Sequence, residues 1–151
     1  MRHGGGIRRM MALWGLAAAL FAGGPARAGQ ALPVVTLQIG EHTVRAELAD
    51  TPDALRTGLM NRTAMPADAG MLFALGPPDI YCFWMKDTLI PLSIAFIDRR
   101  GRIVDIQDMQ PRSLEPHCPP EPITTTLEMN RGWFDKAGVK TGGVVRGIPA
   151  P

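Results

Sequence analysis

The segment Tyr81-Cys82-Phe83-Trp84-Met85-Lys86-Asp87-Thr88-Leu89-Ile90-Pro91-Leu92 places aromatic rings, a thioether, an ammonium and a carboxylate within a few residues of a cysteine. An apolar face with a few converging polar groups is how small-molecule sites are lined, and Trp84, Lys86 and Asp87 supply those types. Period-two alternation sets Tyr81, Phe83 and Met85 on one side and Cys82, Trp84 and Lys86 on the other. The first set suits a core; the second stays open to function. Lys86 interrupts an apolar strand end, so its charge needs solvent or a partner such as Asp87, Asp98 or Glu128. Arg56 or Arg62 can join it at a rim, because a planar guanidinium suits an anionic group. Those two arginines lie six residues apart, about 120° around a helix, and do not point the same way. The expected ligand-binding set is therefore Arg56, Arg62, Trp84, Lys86 and Asp87, and the expected ligand is a small anion or a partner segment. The plainer reading of the same residues is a packed two-sided strand flanked by solvated arginines.

Other chemistries have thinner support. Two of Asp87, Asp98 and Glu128 could supply a carboxylate pair for a hydrolase, since strands bring distant residues together, but the deciding separation is not a sequence property. Six methionines follow residue 30 (Met60, Met65, Met71, Met85, Met109 and Met129). Thioethers bind Cu(I), yet these are scattered and methionine is a common core filler. His117 beside Cys118 suggests thiol activation only if that thiol stays free. H-E-x-x-H, G-x-S-x-G and a nucleotide-binding glycine loop are absent, and Gly142-Gly143 lacks the context of one. No cofactor and no catalytic residue is assigned, and a binding or accessory module is the preferred function over an enzyme.

Residues 1–28 read as a secretory signal: Arg2, Arg8 and Arg9 open it, Met10 to Ala22 is an apolar run, and Ala26-Arg27-Ala28 fits a cleavage site. The run is shorter than the ~20 apolar residues a spanning helix needs, so no stable membrane anchor is expected after cleavage. The mature chain is then residues 29–151, one domain, directed to the periplasm or secreted. Its charge is 12 basic minus 14 acidic residues, or −2. Without a basic cluster it lacks the footprint for nucleic acid, and a monomer is expected. Cys82 and Cys118 are the only cysteines. In an oxidising compartment such a pair favours a disulfide, with a catalytic or metal-binding thiol pair as the alternatives. Pinning the loop Pro116-His117-Cys118-Pro119-Pro120, which cannot pair as a central strand, favours the bridge.

The elements that must position these residues follow from alternation and punctuation. Val34 to Ile39 and His42 to Leu48 flank Gly40-Glu41 as a hairpin. Thr51-Pro52-Asp53 starts a helix, with Thr51 as cap and Pro52 in the first position, running to about Asn61. Gly58 inside it costs about 1 kcal/mol relative to alanine and so points to a close backbone approach. Met71 to Leu75 and Tyr81 to Met85 read as strands. Leu92 to Asp98 and Arg102 to Ile106 form a hairpin about Arg99-Arg100-Gly101, pairing Asp98 with Arg102, Phe96 with Val104 and Ile94 with Ile106. Thr124 to Met129 is a strand, Asn130 caps a helix from Arg131 to Ala137 that Gly138 ends, and Val144 to Arg146 is the last strand. The fold class is α+β: a β-rich compact domain of about seven short strands in a small barrel-like mixed sheet with two short helices.

The order and spacing of Arg56-Thr57-Gly58-Leu59-Met60-Asn61-Arg62, Gly70-Met71-Leu72-Phe73, Phe83-Trp84-Met85-Lys86-Asp87-Thr88-Leu89-Ile90-Pro91-Leu92, Phe96-Ile97-Asp98 and Leu127-Glu128-Met129 resemble the DUF192 family, also called UPF0127. The likeness runs from about Val34 to Val145. Asp87 stands where that family often shows asparagine, and Ser93 where it often shows aspartate. The resemblance implies a compact β-rich domain, frequently exported in bacteria, with no established activity to carry over.

Overall fold

The computed structural model describes Met1 and residues 31–150; apart from Met1, the expected signal lies outside the described residues. Strands β1 (Val34–Ile39) and β2 (His42–Ala49) form the expected hairpin, with Ile39 opposite His42. Helix α1 (Pro52–Thr57) then carries the chain over the sheet to β3 (Ala69–Asp79), which pairs parallel to β2. Parallel neighbours require such a crossover, and this one delivers α1 onto a single face. The Thr51 hydroxyl accepts the Ala54 N–H at 3.2 Å, as a cap should.

α1 is shorter than the sequence predicts. It stops at Gly58, whose φ of +48° breaks the helical path, and a Cβ there would lie 3.2 Å from the Phe73 ring. The close approach inferred from this glycine thus ends the helix rather than interrupting it.

β4 (Leu92–Ile97) and β5 (Ile103–Met109) form the second hairpin. Gly101 has φ of +77° in its turn, and a side chain there would run into the Val145 carbonyl. Asp98 and Arg102 face each other as expected, but the next pairs do not: a register shift between Phe96 and Ile97 pairs Phe96 with Asp105 and Ile94 with Gln107. The bulge adds a residue on β5, so every partner beyond it moves by one.

β6 (Ile123–Asn130) lies between β3 and β4, antiparallel to both. Helix α2 is only Trp133–Lys136, and Gly132 rather than Asn130 stands at its start. Asn130 instead remains in β6 and donates its side-chain N–H groups to the Met65 and Pro66 carbonyls. β7 (Val145–Arg146) pairs with β1.

The seven strands make one mixed sheet in the order β5-β4-β6-β3-β2-β1-β7, curled into a half-barrel. Its two edge strands approach each other at one end. There the Ile103 N–H donates to the Gly143 carbonyl and the Val145 N–H to the Gly101 carbonyl, both at 2.8 Å. Residues from both edges, Ile103 and Val145, share one apolar cluster with Leu37, Leu72, Leu127 and Phe134. The opposite face carries a second cluster of Met71, Phe73, Ile94 and Phe96, covered by Ala54 and Leu59 from the α1 region and by Met85. Both faces of the central strands are therefore buried, which explains why β4 is apolar at nearly every position.

Tyr81 to Met85 is not a sheet strand. Phe83 makes a two-way bridge with His117, and the Met85 N–H donates to the Ser113 carbonyl at 3.0 Å. The prolines at 77, 78 and 91 bracket the segment, and its partner is the proline-rich loop, so no continuous ladder can grow. The expected alternation survives nonetheless: Met85 is buried, Phe83 half-buried, and Cys82, Trp84 and Lys86 exposed.

Candidate functional site

The 80–88 segment and the end of α1 face each other across a groove of about 750 Å³. One wall is Leu55 to Met60; the other includes Ile80 to Trp84 together with Lys86, Asp87 and Thr88. Phe73 and Leu75 of β3 and Glu128 of β6 form the back. A backbone bond ties the walls together, the Asn61 N–H donating to the Asp87 carbonyl at 2.8 Å. The disulfide between Cys82 and Cys118, with Cα atoms 4.2 Å apart, anchors the outer wall to the proline loop. That bridge uses both thiols, so His117 has no free thiol to activate; its Nδ1 lies 3.0 Å from Gln107 Oε1 instead.

Four of the five expected ligand-binding residues meet here. Trp84 is 53% exposed at the rim, and the Lys86 ammonium lies 5.6 Å from the centre of its ring, a cation–π contact. Arg56 is solvent-facing and ion-paired with Asp53 on the same helical turn. Such an exposed pair contributes little, and the guanidinium can turn to another anion. Asp87 has φ of +55°, a left-handed conformation that aspartate and asparagine tolerate better than most residues.

Arg62 goes elsewhere. Its guanidinium makes two bonds to the Glu47 carboxylate, 2.6 and 2.5 Å, and this partner raises the Arg62 pKa above its ordinary value. The pair joins the end of the α1 loop to β2. Asp98 also lies outside the groove, at the β4–β5 turn. Burial pushes its carboxyl up, but the Arg102 and Arg100 N–H donors and the Arg102 guanidinium outweigh this and leave it below its usual range.

Glu128 is the residue whose setting sequence reasoning missed. It is 5% exposed, lies opposite Met71 on β3 and Ile94 on β4, and lines the groove. Its carboxyl bonds to no described residue, and burial alone pushes its pKa up to about 8. Thr126, two residues earlier on the same face, holds the one fully buried side-chain polar atom without a partner among the described residues, whereas the Glu128 carboxyl opens to the groove. A polar residue at an apolar position of Thr124-Thr125-Thr126-Leu127-Glu128-Met129 was the available signal.

Ser93 accepts the Gly132 N–H at 2.8 Å and donates to Asp108, so it organises the start of α2 far from the groove. The methionines divide between Met71, Met85, Met109 and Met129 in the core and Met60 and Met65 at its margins.

Among solved structures, one from Sinorhizobium meliloti 1021, described as a proposed transcription regulator, is 32% identical with a TM-score of 0.75, covering 78% of this chain and 95% of its own. A protein of unknown function from Novosphingobium aromaticivorans DSM 12444 is 34% identical, also with a TM-score of 0.75, covering 88% of this chain and 99% of its own. No curated protein matches the chain. The family model described as "Uncharacterized ACR" matches residues 35–147, which span both hairpins, α1 and every wall of the groove, and the chain belongs to that family, DUF192.

Proposed function

We propose that this domain is an exported binding or accessory module that holds a small anionic ligand, or an acidic partner segment, in the groove between α1 and the 80–88 segment. The observation that carries the reading is the convergence of Arg56, Trp84 and Lys86 on one groove with apolar walls. Trp84 supplies a flat apolar face at the rim, and the two cations supply charge where solvent still reaches them, so an anion there keeps part of its hydration. Export to the periplasm or beyond is supported by the basic, apolar and small-residue order of residues 1–28 and by the disulfide. A nucleic-acid role, suggested by the description of the Sinorhizobium relative, is not preferred: residues 31–150 carry 12 basic against 14 acidic side chains.

Thermal melts with benzoate and inorganic phosphate test the reading. Stabilisation by at least one anion in the wild type should disappear in Trp84→Ala and Lys86→Ala while both variants stay folded. Undiminished stabilisation in both variants overturns the site.

A second reading, hydrolysis by carboxylates, is favoured by one observation: Asp87 and Glu128 line the same groove, and Glu128 holds its proton near neutral pH as a general acid must. Asp98 has no part in it. Turnover in a broad ester, amide and glycoside screen that vanishes in Glu128→Gln establishes this reading; its survival in Glu128→Gln removes Glu128 from the chemistry.

A further inference from the structure

The Glu128 carboxyl makes no hydrogen bond or ion pair among the described residues. Glu128 stands in an interior strand of the sheet, with Met71 and Ile94 directly across and Phe73 and Phe96 among its diagonal neighbours. The residue is 5% exposed, and its carboxyl opens to the groove rather than being sealed in the core, so a carboxyl with no partner in the chain is presented to whatever occupies the groove.

The surrounding charges define what that partner is. Arg56 on α1, and Lys86 and Asp87 on the 80–88 segment, are exposed toward the mouth. β3 and β4 contribute apolar side chains to this face near Glu128, namely Met71, Phe73, Leu92, Ile94 and Phe96. Asp105 and His117 lie beyond β4, both bonded to Gln107, which also bonds the Cys118 carbonyl. With no cation beside it, the carboxyl keeps its proton at neutral pH, and its pKa is raised to about 8. A protonated carboxyl presents an O–H donor and a carbonyl acceptor side by side.

We propose that Glu128 reads the inner end of the ligand: the groove takes a molecule with an uncharged amide-like head, offering an acceptor and a donor to Glu128, and an anionic group at the other end for Lys86 and Arg56. The inference rests on the groove being an anion-binding site, and it adds the second recognition point and the class of ligand. An apolar or aromatic body joins the two ends, lying along Phe73, Phe83 and Trp84. A dianion is rejected, because its inner charge has no counter-charge at the back of the groove.

Three matched probes test this by NMR titration: 4-carbamoylbenzoate, with an amide head; benzoate, with none; and terephthalate, with a second carboxylate. At pH 7 the wild type should bind 4-carbamoylbenzoate at least tenfold more tightly than either of the others. That affinity should fall about tenfold between pH 7 and pH 9 as Glu128 ionises. Glu128→Gln, which keeps a donor and an acceptor, should retain the preference and lose the pH dependence; Glu128→Leu should bind the carbamoyl compound and benzoate alike. Equal binding of the three probes by the wild type, with all of it lost in Lys86→Ala, overturns the role of Glu128 while leaving the anion site standing. The same outcome for Glu128 follows if Glu128→Gln keeps the wild-type pH profile. Absence of binding for all three overturns both readings.

Discussion

The turn at Asp98 and the back of the groove at Glu128 hold the same functional group in opposite states. At Asp98, N–H groups of Arg100 and Arg102 donate at 2.8 and 2.9 Å and the Arg102 guanidinium at 3.2 Å, so the charged form is favoured and the turn is fastened. At Glu128, burial acts alone and the neutral form is favoured. A carboxylate whose lone pairs are all occupied is explained by the fold that occupies them. One without partners in the chain, at the back of an open groove, is left for whatever enters that groove to meet, which is why the groove and not the turn is the functional candidate.

The sharpest way to break this contrast is Glu128→Gln. Below about pH 4.5 both folded and unfolded chains hold the Glu128 proton; between about 4.5 and 8 only the folded chain does; above about 8 neither does. Wild-type stability therefore falls by about 1.4 kcal/mol per pH unit across that window, a loss the amide does not suffer. Thermal melts should show Glu128→Gln gaining on the wild type from pH 5 to pH 8 by roughly 4 kcal/mol in all, with little difference at pH 4. A constant offset across that range places Glu128 in a paired, ionised state and ends the contrast.

Cys82→Ala with Cys118→Ala comes next. The bridge closes a separation of 36 residues, so its loss should lower stability by about 4 kcal/mol in the chain-entropy limit. Because the bridge stands at the outer wall of the groove and not at the Asp98 turn, hydrogen exchange should rise at the Phe83 and Met85 amides and stay unchanged at the Arg102 amide. Equal loosening at both places removes any special link between bridge and groove.

Asp98→Asn sharpens the other half. Its folded pKa is lowered, so the stability it contributes is present above the unfolded value near 3.8 and lost as pH falls through the folded one. The substitution should cost about 1–2 kcal/mol at pH 7 and progressively less in acid, opposite in slope to Glu128→Gln, as chemical denaturation at several pH values will record. Lys86→Ala should cost least, below about 0.5 kcal/mol, since its charge is at the surface. A large loss there means that Lys86 is structural, and the groove then loses its best anion contact.

Much of the scaffold was legible because alternation and turn residues are local. The β1–β2 hairpin, the Thr51-Pro52 helix start and the Gly101 turn follow from neighbours in the chain. The β4–β5 register was legible only as far as the turn, because the bulge between Phe96 and Ile97 has no marker in residue type. Tyr81 to Met85 showed the right alternation but the wrong structure, since side-chain facing is local whereas a ladder needs a partner, and here the partner is a proline loop. The same division applies to the site. Arg56, Trp84, Lys86 and Asp87 were readable as polar or aromatic types at exposed spacing, and Arg62 was readable as an arginine but not as the partner of Glu47.

The sequence by itself determined the family, the strand and turn inventory, and the two cysteines available to pair, because each depends on residue types at short or fixed spacing. Only the tertiary structure decided that Glu128 lies between Met71 and Ile94 with nothing to bond, behind a groove whose mouth carries Lys86 and Arg56. Burial and partnership are sums over strands distant in the chain, and no local pattern contains them.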